Sequence, residues 1–151
     1  MKGLFLLCMI ILTAFFSCPS AEGAAWILFG KNNRGTAYYD MAGIEQLSTN
    51  VIRVSVKYAY SPEGVKEFKE AFPYLQGSET VSYSVYRYEI NCSAGSFMQL
   101  EAATYDPSDS ALKGTELSLK GAEEPIWEHI TPHSLMEQLS VAACKWRLYN
   151  R

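Results

Sequence analysis

Between Val51 and Tyr60 the chain alternates, with Ile52, Val54, Val56, Tyr58 and Tyr60 on one parity and Arg53, Ser55 and Lys57 on the other. A period of two predicts a strand buried on one side and solvated on the other, the habit of antiparallel sheets. Thr80 to Cys92, TVSYSVYRYEINC, is the densest run of β-branched and aromatic residues and predicts a central strand. Val81, Tyr83 and Val85 share one face of it; Tyr86, Tyr88, Ile90 and Cys92 share the other. The apolar phase therefore switches near Val85–Tyr86. A β-bulge or a strand crossing would switch it, and a Tyr83 left half-exposed on the outer face would give the same letters.

The flanking segments complete a sheet. Trp26 to Phe29, the polar turn Lys31 to Gly35, and Thr36 to Asp40 read as a hairpin. Ser61-Pro62-Glu63 opens a candidate helix through Phe72, with Val65, Phe68, Ala71 and Phe72 on one side and Pro73 stopping it; an irregular excursion of the same length would fit the letters equally. Ser93 to Ser96 is a tight reversal before a strand from Phe97 to Tyr105, in which Met98, Leu100 and Ala102 share a face. Asp106-Pro107-Ser108-Asp109 is a turn, and Ala111 to Lys120 reads as the last strand with Leu117 and Leu119 inward. Ser134-Leu135-Met136-Glu137 is a capping box opening a C-terminal helix, whose stripe is Leu135, Leu139, Ala142, Ala143 and Trp146. Trp127, between Ile126 and Ile130 in a polar stretch, is expected to be buried where the chain crosses into that helix. The class is α+β, an antiparallel sheet of about six strands with a C-terminal helix.

The start of the chain reads differently. Lys2, the apolar run Leu4 to Phe16 and the small-x-small Ala21-Glu22-Gly23 form a secretory signal peptide over residues 1–23, too short to anchor in a bilayer. A single domain over 24–151 follows. Phe15-Phe16-Ser17-Cys18 also resembles a lipobox, which would make Cys18 a lipidated N-terminus. Cleavage leaves Cys92 and Cys144, an even number in an oxidising compartment. They are read as a disulfide between the end of the central strand and the C-terminal helix, with two free buried thiols as the other reading. At about 100° per residue Cys144 lies opposite Leu135. The helix must then fray before Cys144 or pack sideways against the sheet edge.

Charge and chemistry narrow the function. Net charge is −3, and without a clustered basic face nucleic acid is not an expected partner. After the leader no apolar run is long enough to span a membrane. His129 and His133 are four apart, but Pro132 between them places them in the approach to the helix, and no third metal ligand is in view. Asp106 and Asp109 are explained by turn chemistry. There is no phosphate loop and no nucleophile signature, so no catalytic residue, metal or cofactor is expected. Seven of the ten tyrosines, Tyr38, Tyr39, Tyr58, Tyr60, Tyr83, Tyr86 and Tyr88, fall in predicted strands. They serve either as cross-strand pairs or, if exposed together, as a binding face.

Taken together, several segments resemble the bacterial surface-adhesin protein E family. They are the Trp26 strand, Ala37-Tyr38-Tyr39-Asp40, Tyr88-Glu89-Ile90-Asn91-Cys92, Tyr105-Asp106, and Trp127-x-x-Ile130-x-Pro132-x-Ser134 followed by Glu137, Leu139 and Cys144. The resemblance implies a single antiparallel sheet, PAS-like in outline, with a C-terminal helix held by a disulfide. It implies an exported envelope or surface protein, in the periplasm or at the outer membrane, soluble or lipid-anchored, and allows a homodimer. It also implies a protein partner from extracellular matrix or envelope. Ser93-Ala94-Gly95-Ser96 stands where the family tends to carry an arginine, and no adhesive residue is transferred. The leading function is a protein-binding module; the alternative is a carrier for a small apolar ligand in a pocket between sheet and helix; an enzyme ranks last.

Overall fold

The structure, a computed structural model, describes residues 23–118 and 126–149. Residues 1–22 of the expected leader, with Cys18, and Leu119 and Lys120 lie outside them. Strand β1 (Trp26–Asn32) turns into β2 (Gly35–Asp40), followed by the short β3 (Glu45–Gln46) and by β4 (Val51–Tyr60). Helix α1 (Pro62–Ala71) and a 3-10 turn at Ser78–Thr80 lead to β5 (Tyr83–Asn91) and β6 (Ser96–Tyr105). Two-residue strands β7 (Leu117–Ser118) and β8 (Glu128–His129) precede helix α2 (Leu135–Tyr149). The strands form one antiparallel sheet in the order β1-β2-β4-β5-β6-β7, with β3 beside β4 and β8 beside β6.

Local chemistry explains the boundaries. The side chain of Asn32 accepts the amides of Arg34 and Gly35 at 2.9 and 3.0 Å, closing the first hairpin. Ser61 caps α1 by accepting the Gly64 amide at 3.1 Å, and Pro62 fills the first turn. Ser134 accepts the Glu137 amide at 3.1 Å, while the Glu137 carboxylate takes the amide of His133 at 2.7 Å. The expected capping box therefore closes one residue early, on His133, whose φ is +62°.

Partners opposite one another across antiparallel strands share a face. The even positions of β4 and Ser84, Tyr86, Tyr88 and Ile90 of β5 form the inner face, where both helices lie. Ile52, Val54 and Ile90 are fully buried there against Leu139 and Ala143 of α2. Burial centres on Leu139 and Ala143, and Cys144 lies about 100° around the helix from Ala143. The helix runs unbroken through Cys144 and packs with its side towards the sheet end, where Cys92 and Cys144 form a disulfide. Gly30 leaves room at this seat for the Leu135 side chain, whose methyl group would have to move aside for a Cβ there.

Four expectations are revised. The bulge lies in β6, where Leu100 is the extra residue between Gln99, opposite Tyr88, and Glu101, opposite Arg87. Strand β5 runs in continuous register on β4, Val81 precedes it in a buried turn, and Tyr83 and Val85 occupy the half-exposed outer face. The bulge breaks the alternation read for Met98, Leu100 and Ala102: Met98 pairs with Glu89 on the outer face, and Ala102 with Tyr86 on the inner. The last strand is reduced to Leu117–Ser118 in the described part, and Leu117 at this edge is 43% exposed. Trp127 is 38% exposed. The crossing is fixed instead by β8 pairing with Ser96 and Phe97, by the Ile130 amide on the Gly95 carbonyl at 2.9 Å, and by Ile130 packing on the core.

Candidate functional site

The strand tyrosines separate by face. Tyr39 is buried in the core. Tyr58, Tyr60, Tyr86 and Tyr88 converge on the part of the inner face between the two helices. Tyr38 and Tyr83 lie on the outer face, opposite Lys57 and Ala59 of β4 respectively.

The inner tyrosines line a trough. Tyr58 and Tyr60 meet edge to face with centroids 5.2 Å apart, Tyr60 meets Phe68 of α1 at 5.5 Å, and Tyr86 and Tyr88 lie side by side at 5.8 Å. The Tyr60 hydroxyl bonds Ser84 Oγ at 2.9 Å, and Ser84 bonds Thr104 Oγ1 at 2.7 Å, a chain along the sheet. The Tyr58 hydroxyl donates to Asn32 Oδ1 at 2.9 Å. Burial raises the Tyr60 and Tyr88 phenols well above the ordinary tyrosine value, and Tyr58 in the same direction. Gly64 allows α1 to seat beside this trough, since a Cβ there would strike the Arg34 carbonyl.

The outer face is built from different chemistry. Tyr83 stacks on Tyr105 with centroids 4.9 Å apart, Lys57 Nζ stands 3.9 Å from the Tyr83 ring centroid, and the Tyr83 hydroxyl donates to Asp109 at 2.8 Å. Burial first, then the bond to Asp109 and its charge, pushes the Tyr83 phenol up to about 12. Beside it Arg53 bridges Glu89 and Glu45 at 2.6 and 3.1 Å, and Arg87 reaches Glu45 at 2.8 Å. Towards β1 the face carries Trp26, 36% exposed, and Leu28, 57% exposed.

Tyr105, Lys57 and Asp109 were not among the sequence-read binding residues. Counting outwards from the Ser93–Gly95 turn would place Tyr83 opposite Thr104; the Leu100 bulge moves it to Tyr105. His129 lies in β8 and His133 in the turn before α2, both exposed. Among the described residues no group of three or more His, Cys, Asp and Glu is placed to hold a metal ion. No helix among them is long and apolar enough to cross a membrane.

No curated protein and no solved structure matches this chain. A family model described as surface-adhesin protein E matches residues 26–145, from the first residue of β1 into α2. That span holds the whole sheet, both helix seats and both cysteines of the disulfide. The chain belongs to the surface-adhesin protein E family.

Proposed function

We propose that this chain is an exported binding module of the cell envelope or surface, and that its outer sheet face contacts a protein partner. One observation carries the reading: both helices lie on the inner face, so neither covers the outer face, whose central positions Arg53, Lys57, Tyr83 and Arg87 are half-exposed. That face combines aromatic and apolar anchors (Trp26, Leu28, Tyr38, and the Tyr83–Tyr105 stack) with fixed charges at Arg53, Arg87, Glu45 and Glu89. Aromatic residues and arginine among polar groups are the composition of interface hot spots. Tyr83 is held on three sides before any partner arrives, which lowers the ordering cost of binding.

Export by the leader over residues 1–23, or anchoring through a lipid at Cys18, belongs to the same proposal, as does a partner from the extracellular matrix or the envelope. No catalytic residue is assigned. The test is binding of the purified protein to immobilised matrix proteins and envelope fractions. Tyr83→Ala and Leu28→Ala weaken it by about 5- to 100-fold, an anchor's share. His129→Ala and His133→Ala leave it unchanged. Binding indifferent to both outer-face substitutions would overturn the assignment of the face. A hydrolytic activity lost with either histidine would overturn the non-enzymatic reading.

A further inference from the structure

We infer that the inner trough is a binding site for an elongated, uncharged apolar molecule, separate from the outer face. The trough has two compartments. One, of about 420 Å³, lies among Phe29, Val56, Tyr88, Met136 and Leu139; the other, of about 520 Å³, lies among Phe72, Leu75, Ala102 and Leu117. Tyr60, Phe68 and Tyr86 line both, so the two adjoin along a shared aromatic wall. Each volume is in the range of small-molecule sites.

The hollows have a cause in the register. Ala37 stands opposite Tyr58 and Ala102 opposite Tyr86, small beside large, so the sheet floor drops on either side of the tyrosine ridge. From β2 to β7 the trough crosses four strand spacings, about 19 Å, which sets its elongated shape. On the rim of the second compartment Phe72, Tyr74 and Leu117 are 44, 84 and 43% exposed. Apolar side chains grouped around a concavity mark a place where apolar matter binds.

The charge pattern selects the ligand. The charged groups of the lining, Arg34 and Glu67, pair with each other at 2.7 Å at the mouth of the first compartment. The hydroxyls of Tyr58 and Tyr60 are committed to Asn32 and Ser84. Apart from neutral hydroxyls such as those of Tyr86 and Tyr88, the walls offer ring faces and aliphatic surface, and an ionic group carried into the trough would lose its water with no unpaired counter-charge in the lining to meet it.

The test uses N-phenyl-1-naphthylamine, a neutral two-ring fluorophore, titrated into the purified protein. The expected result is saturable one-to-one binding with a blue-shifted emission, displaced by 1-decanol but not by decanedioate, which has the same length and a charge at each end. Met136→Trp fills the first compartment and Ala102→Phe the second, and each lowers affinity at least tenfold. Val141→Trp, on the exposed side of α2, leaves it within twofold. Far-UV circular dichroism and a denaturation midpoint establish that each variant is folded, and either filled variant suffices. Unsaturable fluorescence, displacement by decanedioate as strong as by decanol, or unchanged affinity in a folded filled variant would overturn the inference. Loss of partner binding through Tyr83→Ala with probe binding intact separates this site from the outer face.

Discussion

Replacing both cysteines, Cys92→Ser with Cys144→Ser, removes a covalent loop between positions 52 apart in sequence. That loop contains β6, β7, β8 and the first two and a half turns of α2. In the chain-entropy account, closing it takes about 14 cal/mol/K from the unfolded ensemble, or about 4 kcal/mol near room temperature. Leu139 and Ala143 keep their contacts with Ile52, Val54 and Ile90 in the double variant, so the loss falls mainly on the unfolded side. Against a net stability of about 5–15 kcal/mol for a domain of this kind, the variant still folds, with a much smaller margin. Urea denaturation of the oxidised protein and the double variant, followed by tryptophan fluorescence and far-UV circular dichroism, measures the difference. With a urea slope of about 2 kcal/mol/M the midpoint falls by about 2 M, and the slope itself rises because the uncrosslinked chain exposes more surface. A double variant within about 1 kcal/mol of the oxidised protein, at unchanged slope, would refute the reasoning.

Two further outcomes follow from the same contacts. Trp127→Ala costs about 1–2 kcal/mol rather than a core tryptophan's 3–5, because the ring is 38% exposed; a larger loss by urea titration would show that the crossing depends on it. Tyr60, Tyr83 and Tyr88 have folded pKa values above their unfolded one, so their contribution to stability is complete below about pH 10 and declines as pH rises through the folded values. Tyrosinate absorbance should therefore show a late group of phenols and a denaturation midpoint that falls above pH 10, and a flat midpoint to pH 12 would contradict it.

The sequence showed the strand interiors more clearly than their contacts. Alternation in Val51–Tyr60 identified the face carrying Ile52, Val54 and Val56, because a half-buried antiparallel strand writes its environment at period two. Ser61-Pro62 marked the start of α1 because a cap acts on its own helix. What was not legible depends on partners distant in sequence. The Leu100 bulge carries no glycine or proline signal, yet it decides that Tyr83 meets Tyr105. Trp127 looked like the anchor of its crossing because of its size, whereas Ile130 does that work through the Gly95 carbonyl. Nor could residue type alone divide the tyrosines, since Tyr38 and Tyr39 are neighbours that point to opposite faces by the pleat.

The two binding readings are compatible because the sheet separates them. Both helices seat on the first hairpin, α2 over Gly30 and α1 against the Arg34 carbonyl through Gly64, and the aromatic trough opens between the two seats. A larger residue at Gly64 would meet the Arg34 backbone, lift α1 and alter the width of the trough, while the strand pairing that carries Tyr83, Lys57 and Tyr105 lies at the opposite surface. The disulfide acts on the inner side as well, since it holds α2 at the sheet end next to Cys92. Leu139 and Ala143 keep α2 on the core after reduction, so the trough and the outer face are both expected to persist until the sheet itself unfolds, at a lower denaturant concentration than in the oxidised protein.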